Sequence, residues 1–101
     1  MKLAVYNHGP VTVALDASNP SFTFYSHGVY DEPKCGNGIN DMDHQVLVVG
    51  WTKLGDVDCW IVKNSWSTHW GNDGYIYMKI EDNVCGVMTC ATYPLVTKCN
   101  S

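Results

Sequence analysis

Two polar residues in this sequence have types and positions that could do chemistry together. His44 stands just before the apolar run at residues 46–51, and Asn64 follows the apolar run at residues 59–63. An imidazole acts as a base and then as an acid near neutral pH when a neighbour holds its ring in one orientation and one tautomer. A side-chain amide can provide this hold. The pair therefore predicts a general base positioned by an amide, a combination that activates a nucleophile.

The elements on either side of His44 must position it. Residues 28–43 are rich in Gly, Asn, Asp and Pro and predict a surface loop, whereas residues 46–51 predict a buried central strand. His44 is therefore expected at a loop-to-strand junction.

The rest of the chain predicts short strands separated by turns. Pro20 opens a short helical turn that carries Phe22, and residues 2–6 predict the end of a helix because stop signals follow at Gly9 and Pro10. The pattern favours a mainly β fold of four or five strands, a half-barrel or sandwich with a short N-terminal helix remnant. The other predicted strands are residues 11–17, 59–63, 75–80 and 91–96.

Composition and charge narrow the class of protein. At 101 residues the chain is one domain at most, and its net charge of −4 is spread without a run of either sign. This argues against a nucleic-acid partner or a membrane patch, and no apolar stretch approaches the roughly 20 residues that span a bilayer. The N-terminus does not read as a secretory signal, yet five cysteines suggest disulfides and an oxidising compartment. A chain cut from a longer protein would reconcile the two.

Seven short motifs follow one another along the chain. Each would be weak evidence for a family alone, but all seven in this order are strong evidence. Along essentially its whole length, the chain resembles the C-terminal, β-rich half of the papain-like cysteine proteases, and it is most similar to the cathepsin L branch. The fold implied by this resemblance is an antiparallel half-barrel like the right-hand domain of that α+β family. The motifs lie at residues 9–17, 24–30, 43–44, 64–66 with 70–71, 74–75, 85–86 and 93–94.

The resemblance implies roles for individual residues. His44 resembles the catalytic imidazole and Asn64 the residue that orients it, as in the Cys-His-Asn arrangement of papain-like enzymes. Trp66 resembles the indole that lies over their hydrogen bond, which keeps water away and strengthens the bond. The same residue belongs to the substrate-binding set.

A pocket for an apolar second residue of the substrate is also implied. Ala17, Met42 and Cys90 would line it, and the small side chains of Ala17 and Cys90 would leave room for Leu or Phe. The backbone of Asp43 would accept a hydrogen bond from bound peptide. Ordinary interior packing is the alternative interpretation of Met42 and Cys90.

Two of the five cysteines match positions that the family joins by a disulfide. These are Cys35 and Cys85, whereas Cys59, Cys90 and Cys99 are left over. A zinc site is not supported because no Cys-x-x-Cys pair occurs, so we expect neither a metal nor another cofactor. None of the three extra thiols has a neighbouring signal that would lower its pKa, so none is expected to replace the nucleophile.

The chain departs from the family pattern in one large respect and two small ones. Gln45 stands where Ala or Gly is usual, and Ser67 stands where Gly is usual. The N-terminal half with its Cys-bearing helix has no counterpart here. Residues 1–101 are therefore expected to be the C-terminal domain of a papain-like peptidase without its N-terminal domain.

The leading hypothesis is a cysteine endopeptidase fragment that is inactive alone. Its expected partners are peptide or protein substrates, the missing N-terminal domain and cystatin-like inhibitors, and the resemblance implies a lysosomal or secreted parent. One alternative is a non-catalytic module that binds proteases, inhibitors or pro-segments through the exposed half-cleft. Another is a two-chain enzyme whose N-terminal half docks in trans.

Overall fold

Seven strands form one sheet in the part of the chain that the structure describes. The computed structural model describes residues 5–6, 9–32, 35–36, 42–66, 68–88, 90–93 and 96–99. The strand order is β2-β5-β4-β3-β1-β6-β7, and all neighbours are antiparallel except β2 and β5. The strands are β1 Val11–Leu15, β2 Val29–Tyr30, β3 His44–Leu54, β4 Val57–Lys63, β5 Tyr75–Lys79, β6 Cys90–Tyr93 and β7 Val96–Cys99. A short α-helix, α1, spans Pro20–Thr23, and a 3-10 helix spans Glu81–Gly86.

The predicted mainly β fold is confirmed, and several boundaries are corrected. The predicted strand at residues 11–17 ends at Leu15, and the predicted loop at residues 28–43 contains β2. The predicted strand at residues 91–96 is instead two strands, β6 and β7. The sequence has Pro94 between them, and proline cannot donate a ladder hydrogen bond. The 3-10 helix was not predicted at all.

Only part of the predicted N-terminal helix lies in the described residues. Val5 and Tyr6 are helical, and the other residues of the stretch 2–6 lie outside the described residues. Val5 is buried, whereas Tyr6 is 80% exposed. Val5 is thus the helical residue that joins the core.

The core forms on one face of the sheet because apolar residues alternate along the strands. In β1, Val11, Val13 and Leu15 are buried while the residues between them are partly exposed. The ladder places Val13 opposite Val46 and Val11 opposite Val48, and these two are buried as well. Side chains directly opposite in an antiparallel pair lie on the same face. His44, which alternates with Val46 and Val48, therefore starts β3 on the core face.

A single capped turn brings an aromatic ring into this core. The Asn19 side chain accepts a hydrogen bond from the Ser21 amide at 2.9 Å, and Pro20 occupies the first turn of α1, where its missing N–H costs nothing. Phe22 is completely buried, and its carbonyl accepts a hydrogen bond from the Trp70 indole at 3.1 Å. The predicted aromatic turn is therefore held to the loop that carries Trp70.

The disulfide implied by the family resemblance is present. Cys35 and Cys85 are bonded, with their Cα atoms 5.1 Å apart. Asp16 fixes both ends of this bridge: its amide donates to the Cys85 carbonyl at 2.8 Å, and its carboxylate accepts from the Gly36 amide at 2.7 Å. The amide of Ser18 donates to the same carboxylate at 2.9 Å. Because Asp16 is buried, these bonds replace its lost hydration.

We expect the stability contributed by Asp16 to disappear in acid. Burial alone raises its pKa, but the hydrogen bonds from Ser18 and Gly36 outweigh burial and hold the pKa of this carboxyl below its ordinary value. The contribution is therefore fully present above the unfolded pKa of about 3.9 and is lost as the pH falls through the folded value. Asp16→Asn should lower the free energy of unfolding by about 1–3 kcal/mol at pH 7, and the loss should shrink below pH 4.

Urea denaturation from pH 3 to pH 7 measures this effect. Asp56→Asn is the matched control, because Asp56 lies exposed in the turn between β3 and β4. A control that loses as much stability at pH 7 as Asp16→Asn would contradict the assignment.

Candidate active site

The two residues singled out by their chemistry are in direct contact. His44 Nε2 lies 2.7 Å from Asn64 Oδ1. The β3–β4 hairpin creates this contact, because its ladder pairs Leu47 with Lys63 and so brings the residues beyond that pair to the same end of the sheet. Asn64 is 5% exposed, and its backbone N–H donates to the Gly74 carbonyl at 3.0 Å. The partner of the histidine is therefore fixed from both its side chain and its backbone.

The hydrogen bonds around Asn64 determine the tautomer of His44. Asn64 Oδ1 also accepts from the Ser65 backbone N–H at 2.8 Å, so the oxygen of the amide, not its nitrogen, must point this way. The nitrogen Nε2 of His44 is then the donor in the His44–Asn64 bond. In the neutral ring this leaves Nδ1 as the free acceptor, ready to take a proton from a neighbouring nucleophile.

Two aromatic rings lie close to the imidazole of His44. The centroid of the Trp66 ring lies 4.8 Å from that of His44, with the planes tilted by 35°. Phe22 meets His44 edge-on at 6.1 Å and Trp66 edge-on at 5.4 Å. Trp66 remains 39% exposed, so its outer surface borders solvent while its inner surface covers the ring. Such shielding lowers the local dielectric constant and strengthens the His44–Asn64 bond.

Asp43 ties the start of β3 to the end of β1. Its backbone amide donates to the Leu15 carbonyl at 3.0 Å, and its carboxylate accepts from the Ala17 amide at 2.8 Å. Leu15 is also the ladder partner of His44. The backbone at His44 is therefore held by its ladder pairing with Leu15 and by the hydrogen bonds of the preceding residue, Asp43.

The residues predicted to line a substrate pocket come from three places in the described structure: after β1, before β3 and at the start of β6. Ala17 packs against the core cluster beside Asp43, and Met42 is partly buried. Cys90 begins β6, and its ladder partner is Ala14 of β1. That Ala17, Met42 and Cys90 line one substrate pocket stays a prediction.

A groove of about 340 Å³ lies next to the His44–Asn64 pair. It is open to solvent and was not predicted from the sequence. Gln45, the departure from the family pattern beside the histidine, forms part of its wall. The lining residues are Thr12, Gln45, Val46, Leu47, Lys63, Asn64 and Ser65.

None of the four cysteines whose side chains the structure describes can serve as the nucleophile. Cys35 and Cys85 are bonded to each other, and Cys90 is disulfide-bonded as well. Cys59 is a free thiol but completely buried, and desolvation, followed by the charge of Asp58, raises its pKa. A buried thiol with a raised pKa holds little of the reactive thiolate.

The turn that follows Trp70 depends on a glycine. Gly71 has φ = +62°, and a Cβ at this position would lie 2.7 Å from the Tyr75 carbonyl oxygen. The same turn is closed by hydrogen bonds from the Gly74 amide to the Trp70 carbonyl at 2.8 Å and from the Asn72 amide to the Tyr75 carbonyl at 3.0 Å. Since the Gly74 carbonyl accepts a hydrogen bond from the Asn64 backbone N–H, this turn helps to hold Asn64 in place.

We expect Gly71→Ala to destabilise the protein by about 2 kcal/mol or more, because it adds a steric clash to the cost of a left-handed residue. Gly55→Ala is the matched control: Gly55 has φ = +61°, but nothing lies within 4 Å of its added Cβ. The control should cost only about 1–2 kcal/mol, the backbone term alone. Thermal denaturation of both variants measures the difference, and equal losses would contradict the clash.

The described part of the chain lacks two further features. No cluster of three or more His, Cys, Asp or Glu side chains there could hold a metal ion. Its helices are also all too short or too polar to cross a membrane.

Comparison with known proteins shows the family of this chain. The family model described as papain family cysteine protease matches residues 1–95. The chain is 53% identical over 98 residues to the cathepsin L-like peptidase of Aedes aegypti, which covers 95% of this chain and 28% of that protein. It is 52% identical over 98 residues to cathepsin L of Sarcophaga peregrina, with coverage of 95% and 28%.

A solved structure agrees with the sequence relatives. The digestive procathepsin L2 proteinase from the larval midgut of Tenebrio molitor matches with a TM-score of 0.85 at 42% identity, covering 94% of this chain and 30% of that one. The chain thus spans less than a third of the length of these relatives. The family model, however, covers nearly all of it, and the chain belongs to the papain family of cysteine proteases.

Proposed function

We propose that this chain supplies the histidine and the asparagine of a cysteine endopeptidase active site, and that residues outside it supply the thiol. The observation that carries the proposal is the 2.7 Å contact from His44 Nε2 to Asn64 Oδ1, which leaves Nδ1 free. A family member needs this geometry to keep an imidazole pointed at a nucleophile.

A second observation supports a functional reading of Asn64. Its Nδ2 atom is buried and has no hydrogen-bond partner among the described residues. A buried donor without a partner costs about 1–3 kcal/mol, so Asn64 is a poor choice for stability alone. The amide is better explained by what its oxygen does for His44.

In the complete enzyme, His44 would move protons at two stages. Nδ1 takes the proton of the thiol, and the thiolate attacks the peptide carbonyl carbon. The imidazolium then gives that proton to the leaving amine as the C–N bond breaks, which leaves a thioester. Water attacks the thioester while His44 accepts its proton, and the proton returns to the thiolate when the acid product leaves. Asn64 holds the ring throughout.

Substrates, partners and compartment follow from this role. The substrates would be peptides or proteins with an apolar second residue, and the main partner would be the N-terminal, cysteine-bearing domain. An inhibitor of the cystatin type would compete for the same cleft. The disulfide-bonded state of Cys35, Cys85 and Cys90 fits a lysosomal or secreted parent, since such bonds persist in oxidising compartments.

Complementation in trans tests the proposal. The full chain is mixed or co-expressed with the cysteine-bearing N-terminal part of the Sarcophaga peregrina relative, which is 52% identical over the shared residues. We expect thiol-dependent cleavage of a fluorogenic peptide by the mixture and none by either part alone. The chain alone should be inactive because Cys59 is buried and the cysteines at positions 35, 85 and 90 are bonded.

Two results would count against the proposal. Cleavage by this chain alone, lost in His44→Ala, would show that the nucleophile lies within it. A complex that forms, as measured by size-exclusion chromatography, and yet cleaves nothing would favour the non-catalytic binding module instead.

A further inference from the structure

The groove beside the His44–Asn64 pair offers hydrogen-bond donors and a positive charge. Lys63 contributes an ammonium group to its wall, and Gln45 and Asn64 contribute side-chain amides. The hydroxyls of Thr12 and Ser65 can donate as well. Among the described residues no Asp or Glu lines this groove, although the chain has a net charge of −4. The groove therefore suits a ligand that carries acceptors and negative charge.

The ladder registers place the charged end of this groove on the outward face of the sheet. Leu47 of β3 is the ladder partner of Thr12 in β1 and of Lys63 in β4. Opposed side chains of antiparallel strands share a face, so these three residues form one row. Val46 and Val48, on either side of Leu47, are buried in the core, so the row lies on the opposite face. The ammonium group is thus carried by a strand in the middle of the sheet.

Two of these donors have no partner among the described residues. Asn64 Nδ2 is buried and makes no hydrogen bond to them. Lys63 makes no ion pair with them either, whereas Lys79 pairs with Asp31 at 3.4 Å. A buried donor that stays unpaired lowers the stability of the fold for as long as it has no acceptor. An acceptor brought from outside the chain would remove that cost.

A stably bound polypeptide accounts for these donors better than a substrate does. A peptide substrate leaves after every turnover, so Asn64 Nδ2 would be unpaired for much of the time. A docked polypeptide supplies its acceptor continuously. It would also displace water from around Lys63, and an ammonium group taken out of water needs a carboxylate beside it.

We propose that this groove is the docking surface for the polypeptide that carries the thiol, and that a carboxylate of this partner pairs with Lys63. A second acceptor of the partner receives the hydrogen bond from Asn64 Nδ2. The inference rests on the proposed function, in which residues outside this chain supply the nucleophile. Because Lys63 directly precedes Asn64, the ion pair fixes the partner one residue from the side chain that orients His44. Docking thereby helps to align the thiol with the free nitrogen of the imidazole.

Zero-length cross-linking tests this contact without relying on activity. The full chain is co-expressed with the cysteine-bearing N-terminal part of the Sarcophaga peregrina relative, and the purified complex is treated with a water-soluble carbodiimide. This reagent joins a carboxylate and an amine that are in contact through an amide bond. Mass spectrometry should find Lys63 joined to an Asp or Glu of the partner. Lys53, which lies in β3 outside the groove, should not be joined to the partner.

Matched lysine variants measure how much the ion pair contributes to docking. Lys63→Met keeps the apolar stem of the side chain and removes its charge. It should raise the Kd of the complex by at least about thirtyfold, because the carboxylate of the partner is left buried and unpaired. Lys53→Met is the control, since Lys53 is also exposed and lies opposite Asp58, and its Kd should change by less than about twofold. Fluorescence anisotropy of the labelled N-terminal part gives both values, and circular dichroism checks that the variants fold.

The outcomes separate this inference from the proposed function. An unchanged Kd in Lys63→Met, or a complex in which Lys63 is not cross-linked to the partner, would overturn the docking surface. An unchanged Kd together with a raised KM for acidic peptides alone would also overturn it and assign the groove to the substrate. A complex that depends on Lys63 but cleaves no peptide would refute the proposed function and leave the docking surface standing. Cleavage by a complex that does not depend on Lys63 would do the reverse.

Discussion

Replacing His44 with alanine is expected to lower the kcat/KM of the complemented enzyme by at least about 10³-fold, because general acid and base catalysis is lost together. Asn64→Ala should cost about 10²-fold, since the imidazole remains but the 2.7 Å bond that fixes its tautomer is gone. The loss in Asn64→Ala should fall on kcat more than on KM. Steady-state kinetics with a fluorogenic peptide measures both effects.

His27→Ala is the matched control for these two variants. His27 is exposed, and its ring lies 2.9 Å from the Ser26 hydroxyl. The hydrogen-bond partner of His27 is thus its own chain neighbour and not Asn64. Its loss should change kcat/KM by less than about twofold. Circular dichroism must show that all three variants fold to the same extent. A drop in His27→Ala as large as in Asn64→Ala would mean that complementation, not chemistry, had been disturbed.

The residues at the centre of the site were predictable because they are carried by local motifs. His44 and Asn64 were identified from an apolar run and from the motif that includes Trp66, and the structure brings all three into contact. Sequence spacing alone does not bring two of them together. That requires the register of the β3–β4 hairpin, whose tight turn contains Gly55 at φ = +61°. The family resemblance implied this register, because it implied that His44 and Asn64 are in contact.

The surroundings of the site were less predictable because they depend on contacts between distant segments. Ala17 was expected in the substrate pocket because the family resemblance implied it, and the sequence separately predicted a strand that reaches residue 17. The strand instead ends at Leu15, because the Asp16 side chain accepts bonds from Ser18 and Gly36 and pulls the following backbone out of the ladder. No local sequence pattern predicts the hydrogen bond between Asp16 and Gly36, because the two residues are far apart in the sequence.

The clearest test of these long-range contacts is Phe22, which the sequence indicated only as an aromatic plug. Its fully buried ring lies 5.4 Å from Trp66 and 5.1 Å from Trp70. Phe22→Ala should lower the free energy of unfolding by about 3–5 kcal/mol, the cost of a buried phenylalanine and its cavity. That is a large part of the 5–15 kcal/mol or so that stabilises an ordinary domain.

Phe24→Ala is a matched control for Phe22→Ala, since it removes the same side chain from the end of the same helix at a position that is 81% exposed. Surface changes of this kind usually stay within about 0.5 kcal/mol. Phe22→Leu should recover much of the loss because it keeps most of the buried volume. Urea denaturation of the three variants measures the differences. If Phe22→Ala proved no more costly than Phe24→Ala, the aromatic packing beneath His44 would not be what holds this end of the sheet together.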